Sequence, residues 1–225
     1  METLLRQALA AAGLTADRGR VELDADDPDG QGLSLWYPTV TAAGNDYIRR
    51  AIKIESGAKS ALDPHAPVTI RPFVADDLAG RNLSVRSMIT VDPSRTFWDK
   101  VVILHGLWRW FERCGELRGR DQRVSRHYYD VSPLLASETG RNAASNLEMA
   151  RDCVRHAKML FNRPDFNSAS ATPGTFALTP HDEMPDVLRR EAMAGMIFGS
   201  VPPIIDIVDS ITEFEERLNV SPRTD

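Results

Sequence analysis

The chain of 225 residues carries a net charge of −5 and a pI near 5.6. That excludes a general nucleic-acid-coating role, because counterion release needs a strongly basic surface. Its 42% hydrophobic and 26% charged content excludes disorder and bounds the chain to one large globular domain or two small ones.

In chain order, residues 2–12 read as a short amphipathic helix that Gly13 stops. The period then changes. Residues 20–23, 33–37, 47–55, 68–74 and 83–90 have strand-like composition and are separated by turn clusters such as DADDPDGQG and GAKSALDPHAP. Asp92-Pro93 supplies a helix start, with Asp as N-cap and Pro at the first helical position. Phe97, Val101, Leu104, Trp108 and Phe111 follow as one apolar stripe at three-four spacing. Further helices are expected over residues 125–135, where Pro133 shortens or kinks the helix, and over 142–161, 180–198 and 203–218. Residues 166–178 read as a connector with one short strand over 175–178. Strands first and helices after define an α+β protein. The expected boundary falls between 1–91 and 92–225, with the two parts packed as one unit because the first is too small for a secure core of its own.

Cys114 and Cys153 have no metal-ligand spacing and suggest no disulfide framework, so a reducing cytoplasm is expected. No apolar run approaches the length of a membrane span, and METLLRQALAAAGL lacks the character of a secretory leader. His65, His105, His156 and His181 are scattered without metal-ligand spacing.

Three places carry candidate chemistry. On a strand, Ile52 and Ile54 face one way and Lys53 and Glu55 the other. Glu55 is then either an exposed partner of Lys53 on a solvated face or a carboxylate able to reach a hard cation such as Mg²⁺. Lys100, one of four lysines in the chain, lies between the apolar stripe and a flanking row of Ile103, Leu107 and Trp110. It either snorkels to solvent or directs its ammonium toward a phosphate. In Arg126-His127-Tyr128-Tyr129-Asp130, Arg126 and Asp130 share a helix face and are spaced to pair. The same helix start, with its free N–H groups and arginines, could instead hold phosphate. There is no Walker A loop, nucleophile elbow or dinucleotide fingerprint. Asp24-Ala25-Asp26 falls in a Gly/Pro/Asp-rich turn and reads as a loop.

The order of these segments resembles a known family. IKIESGAKS (52–60), VTIRPFV (68–74), RTFWDK (95–100) and SRHYYDV (125–131), followed by PGTF (173–176) and AMAGMIFG (192–199), resemble the nucleotidyltransferases of the AbiEii/AbiGii toxin family over residues 46–198. The resemblance implies a nucleotidyltransferase-like, polymerase-β-type fold with a partial mixed sheet and a C-terminal helical bundle. It further implies a toxin of a bacterial toxin–antitoxin or phage-defence system that uses a nucleoside triphosphate and Mg²⁺ and transfers nucleotides to an acceptor such as tRNA. By position, it assigns catalytic roles to Glu55, Lys100 and Asp130, metal contact to Glu55, and nucleotide contact to Lys53, Lys100, Arg126 and His127.

The chain departs from that family at the start. No Gly-Ser precedes an Asp-x-Asp: Gly199-Ser200 lies near the far end, and Asp24-x-Asp26 lacks the Gly-Ser. A chain beginning downstream of that motif is expected to be catalytically incomplete, since two-metal chemistry draws on several carboxylates. The alternative is a non-catalytic RNA- or protein-binding module derived from the family, with Arg109, Arg113, Arg118, Arg120, Arg123 and Arg126 as phosphate contacts. The expected partners are a nucleoside triphosphate, tRNA, an antitoxin protein and a second copy of the chain joined through an exposed sheet edge.

Overall fold

The structure is a computed structural model. It describes residues 2–11, 13, 19–25, 27, 30–38, 50–55, 57, 61–78, 80–116, 124–161, 164–181 and 202–220. The chain divides into two compact units, Met1–Ser60 and Ala61–Asp225. The change from strands to helices comes later, between Val91 and Pro93.

In the first unit, helix α1 (Glu2–Ala11) precedes strands β1 (Arg20–Leu23), β2 (Gly32–Trp36) and β3 (Ala51–Glu55). The strands form an antiparallel sheet in the order β1-β2-β3. Its register sets Leu33 opposite both Leu23 and Ile54. The Arg6 guanidinium donates to the Val21 carbonyl at 2.7 Å and ties α1 to β1. The first helix and strand were readable because capping, period and turn residues agree there. The expected strand over 47–55 is seen over Ala51–Glu55, and its first residues lie outside the described residues.

In the second unit, strands β4 (His65–Ile70) and β5 (Val85–Val91) form a two-stranded antiparallel hairpin. Every residue of β4 is exposed. Where sequence composition suggested a strand running on to residue 74, Phe73–Ala75 is a 3-10 turn behind Pro72, since Pro72 carries no N–H for a strand ladder. The protein is α+β, and all strand pairs among the described residues are antiparallel.

Among the described residues, the helices of the second unit are α2 (Pro93–Cys114), α3 (Ser125–Ala136), α4 (Glu138–Ala144), α5 (Leu147–Leu160) and α6 (Ile204–Val220). Helix α2 begins as its sequence dictates: the Asp92 carboxylate accepts from the Ser94 N–H at 2.7 Å and Pro93 stands at the first position. It ends on Gly115, whose φ of 70° places it in the left-handed region glycine tolerates. Phe97, Trp98, Val101, Leu104 and Leu107 of α2 are buried in one cluster with Tyr128 and Val131 of α3, Cys153 and Val154 of α5, and Ile207, Ile211 and Phe214 of α6. On α6 the buried positions are 204, 207, 211, 214 and 218, the three-four spacing of a core-facing stripe.

Two expectations fail here. The single helix expected over 142–161 is two, because Asn146 leaves the helical conformation and its side chain caps α5 by accepting from the Met149 N–H at 3.0 Å. No strand forms over 175–178. Instead, side chains of α6 satisfy that backbone: Asn219 bonds both the N–H and the carbonyl of Phe176, and the Glu215 carboxylate accepts from the N–H groups of Leu178 and Thr179, each at 2.6 Å. The helix expected over 180–198 lies almost wholly outside the described residues. Among the described residues, no helix is long and apolar enough to cross a membrane.

Candidate functional site

Lys100 is the eighth residue of α2, followed by buried Val101 and Val102. Asp130 lies on α3 between buried Tyr129 and Val131. Because their neighbours are locked in the core, the two side chains meet across 30 residues of sequence: Lys100 Nζ donates to Asp130 Oδ2 at 2.6 Å. Their side chains remain 26% and 45% exposed. An ion pair this open to water contributes at most about 1 kcal/mol to stability. Its consequence is positional: an ammonium with three donors is held at a fixed point, one donor on Asp130 and the others open to a second acceptor. Asp130 does not pair with Arg126, as the four-residue spacing suggested. Lys100 reaches it from the neighbouring helix, and Arg126 is exposed.

His127 lies on α3 three residues before Asp130. Its Nδ1 is buried and meets no hydrogen-bond partner among the described residues. Burial pushes the ring's pKa down to about 4, helped by the charges of Lys100 and Arg126 and opposed by Asp130. The ring is therefore neutral at neutral pH, in the field of two cations and one carboxylate.

In the other unit, Lys53 and Glu55 share a face of β3, as alternation requires, and Lys53 Nζ lies 2.6 Å from Glu55 Oε1. It also lies 3.0 Å from Oδ2 of Asp24, whose side chain is buried at the end of β1. These two carboxylates, Glu55 first and then Asp24, raise the Lys53 pKa. Asp24 was missed as a partner because it reads as part of a turn. The signal was the strand order, which sets β1 two strands from β3 but lets a lysine span the strand between them.

Glu55 is the residue through which a cation would be held. Its carboxylate is already engaged by Lys53, and no group of three or more His, Cys, Asp or Glu residues is disposed to hold a metal ion among the described residues. Glu55 and Asp24 both hold the Lys53 ammonium, so a Mg²⁺ bound there through one or two carboxylates and waters would have to displace it.

The arginines suggested as phosphate contacts are partly engaged. Arg109 lies over the Trp108 ring at 4.9 Å and bonds Glu112, while Arg113 pairs with Asp165 at 3.0 Å. Arg118, Arg120 and Arg123 lie outside the described residues, as does the 192–199 segment.

A residue that sequence reasoning passed over anchors α2. Arg95 is 2% exposed, and its Nη1 donates to the Asp63 carbonyl at 2.8 Å and to Asp152 Oδ2 at 2.6 Å. It joins the segment before β4 to α2 and α5, five residues ahead of Lys100. Only its four-residue spacing from Asp99 was visible in sequence, and that contact is the long one, at 4.0 Å.

The sequence model of a protein family described as "Nucleotidyl transferase AbiEii toxin, Type IV TA system" matches residues 2–219. No curated protein and no solved structure matches the chain.

Proposed function

The chain belongs to the AbiEii nucleotidyl transferase toxin family of type IV toxin–antitoxin systems, and on that premise we propose that Lys100 and Asp130 form its triphosphate-handling site. The observation that carries this reading is the 2.6 Å contact joining RTFWDK to SRHYYD, the two segments on which the family resemblance rests most. An antitoxin goes with such a toxin.

In the proposed reaction an acceptor hydroxyl attacks the α-phosphorus of a nucleoside triphosphate. The bond from that phosphorus to the bridging oxygen breaks, and pyrophosphate leaves with the negative charge. The acceptor is an RNA such as tRNA, and the hydroxyl proton passes to solvent. Chemistry of this kind depends mainly on positioning and charge neutralisation. Lys100 supplies a fixed positive charge for the phosphates. Asp130 holds the ammonium in place before the phosphates arrive and shares it afterwards. Arg126, exposed on the same helix turn as His127, adds a second cation. Glu55 and Lys53 are assigned supporting roles that the variants below test separately.

The sequence has no Gly-Ser before an Asp-x-Asp, and we infer that the chain by itself binds triphosphate without efficient transfer. The purified chain is to be incubated with labelled nucleoside triphosphates, Mg²⁺ and total tRNA. Little or no label on RNA is expected. Robust transfer lost in Lys100→Ala and Asp130→Ala would keep the site and discard the incompleteness. Transfer unaffected by either variant would discard the site. Glu55→Gln and Lys53→Met, assayed alongside, tell whether the β3 pair takes part.

A further inference from the structure

The β4–β5 hairpin stands outside the core of its own unit. Among the described residues, the buried cluster takes no member from either strand, and every residue of β4 is exposed. A lone two-stranded hairpin is at best marginally stable in water, so this one calls for a cover.

The register shows which face is to be covered. Val68 stands opposite Met88, and Ile70 opposite Val85. Opposed residues share a face, as do residues two apart on one strand, so these four apolar side chains form one patch. They are 40%, 43%, 45% and 52% exposed in the order Val68, Met88, Ile70, Val85. Ala66 and Thr90, opposed in turn, continue the face without a charge. Between the two apolar pairs the ladder advances from Val68 to Ile70 on β4 but from Met88 to Val85 on β5. In a regular ladder Arg86 would face Ile70, and the extra residue sets Val85 there instead. Within this bulge Ser87 has a φ of 57°, in the left-handed region that non-glycine residues avoid. Backbone strain is thus spent on keeping an arginine off this face.

We propose that the face is a self-association surface, covered by the same face of a second copy in a two-fold dimer. Two uncharged faces meet without like-charge repulsion, as a surface that must be complementary to itself requires. A nucleic acid would find no cation on it. The patch continues into the turn that leaves β4, where Phe73 and Val74 are 82% and 49% exposed. These side chains offer about 550 Å² of apolar surface per copy, and the about 1,100 Å² of a pair clears the roughly 1,000 Å² that a specific interface needs. The hairpin edges are poorer candidates than the sequence suggested: Pro67 has no N–H to offer on β4, and the bulge interrupts β5. The surface is also tied to the helix that carries Lys100. The Asp92 N–H donates to the Pro64 carbonyl at 2.8 Å, and Arg95 Nη1 donates to the Asp63 carbonyl at 2.8 Å. A dimer formed on the hairpin therefore bears directly on the start of α2.

Sedimentation equilibrium of the full chain, from about 1 to about 100 µM, tests this on the wild type, Met88→Glu, Val68→Glu and Ile89→Glu. Ile89 neighbours Met88 on the same strand and is 59% exposed, but alternation puts it on the opposite face. All three substituted side chains are exposed, and circular dichroism checks each fold. The wild type is expected to dimerise with a dissociation constant in the micromolar range. Met88→Glu and Val68→Glu should each weaken it at least tenfold, and either one suffices where the other does not fold. Ile89→Glu should change it by less than threefold. A wild type that stays monomeric throughout overturns the inference, as does a dimer indifferent to charge at Met88 and Val68, which is joined elsewhere. Equal weakening by Ile89→Glu overturns the choice of face and the inference with it.

Discussion

His105 offers a quantitative test of how the helical unit is held together. Its ring is fully buried. The Ala177 N–H donates to its Nδ1 at 3.1 Å, so Nε2 carries the hydrogen and faces the Ser170 hydroxyl at 2.9 Å. A second proton would set Nδ1–H against a backbone donor. Burial first, and then the charge of Arg109, lower the pKa to about 4. The unfolded chain has the ordinary value near 6.5. Between those values the unfolded state holds a proton that the folded state refuses, so stability is complete above about pH 7 and falls as pH drops toward 4. The difference of 2.5 units amounts to about 3 kcal/mol in total, of which about 2 kcal/mol is lost between pH 7 and pH 5. Urea unfolding followed by tryptophan fluorescence at the two pH values, on the wild type and His105→Asn, measures this. The variant keeps an acceptor near the Nδ1 position but does not titrate. The wild type should lose about 2 kcal/mol more than the variant over this range. His127 is also held neutral, and it shifts both proteins alike. Equal losses in the two proteins would refute the assignment of a neutral, doubly bonded His105.

Other substitutions test separate contacts. A Cβ on Gly140 would stand 1.8 Å from the Leu134 carbonyl oxygen at the α3–α4 corner, so Gly140→Ala should cost about 3 kcal/mol in urea denaturation. Asp152→Asn leaves the Arg95 charge buried without its nearest anion and should cost about 3 kcal/mol by the same measurement. Asp130→Ala removes only a half-exposed partner and should change unfolding free energy by less than about 1 kcal/mol. A much larger loss would mean that the pair is structural.

What the sequence disclosed, and what it withheld, divides along the range of the interactions. The start of α2 was legible because Asp92 and Pro93 act on backbone within one turn of themselves. The inner face of α2 was legible at Phe97, Val101 and Leu104, all fully buried, because helical period records which face is buried. The alternation on β3 placed Lys53 and Glu55 together for the same reason. Asn146 was passed over as a cap because the apolar spacing runs across the break between α4 and α5. The 175–178 segment was misread because its backbone partners are side chains of α6, more than 30 residues on. Arg126 and Asp130 have the right spacing to pair, but a lysine from another helix takes the carboxylate. The Lys100–Asp130 contact itself was invisible to composition and period, and only the order of segments shared with a family pointed to it.

The central claim is that Lys100, held by Asp130, is a nucleoside triphosphate ligand. Equilibrium binding of a non-hydrolysable ATP or GTP analogue to the wild-type chain and to Lys100→Met, with the fold of each checked by circular dichroism, tests it most directly. The account predicts measurable binding by the wild type and a loss of roughly tenfold or more in the variant, as expected when a charge-assisted phosphate contact is removed. Equal affinities in two folded proteins would contradict it.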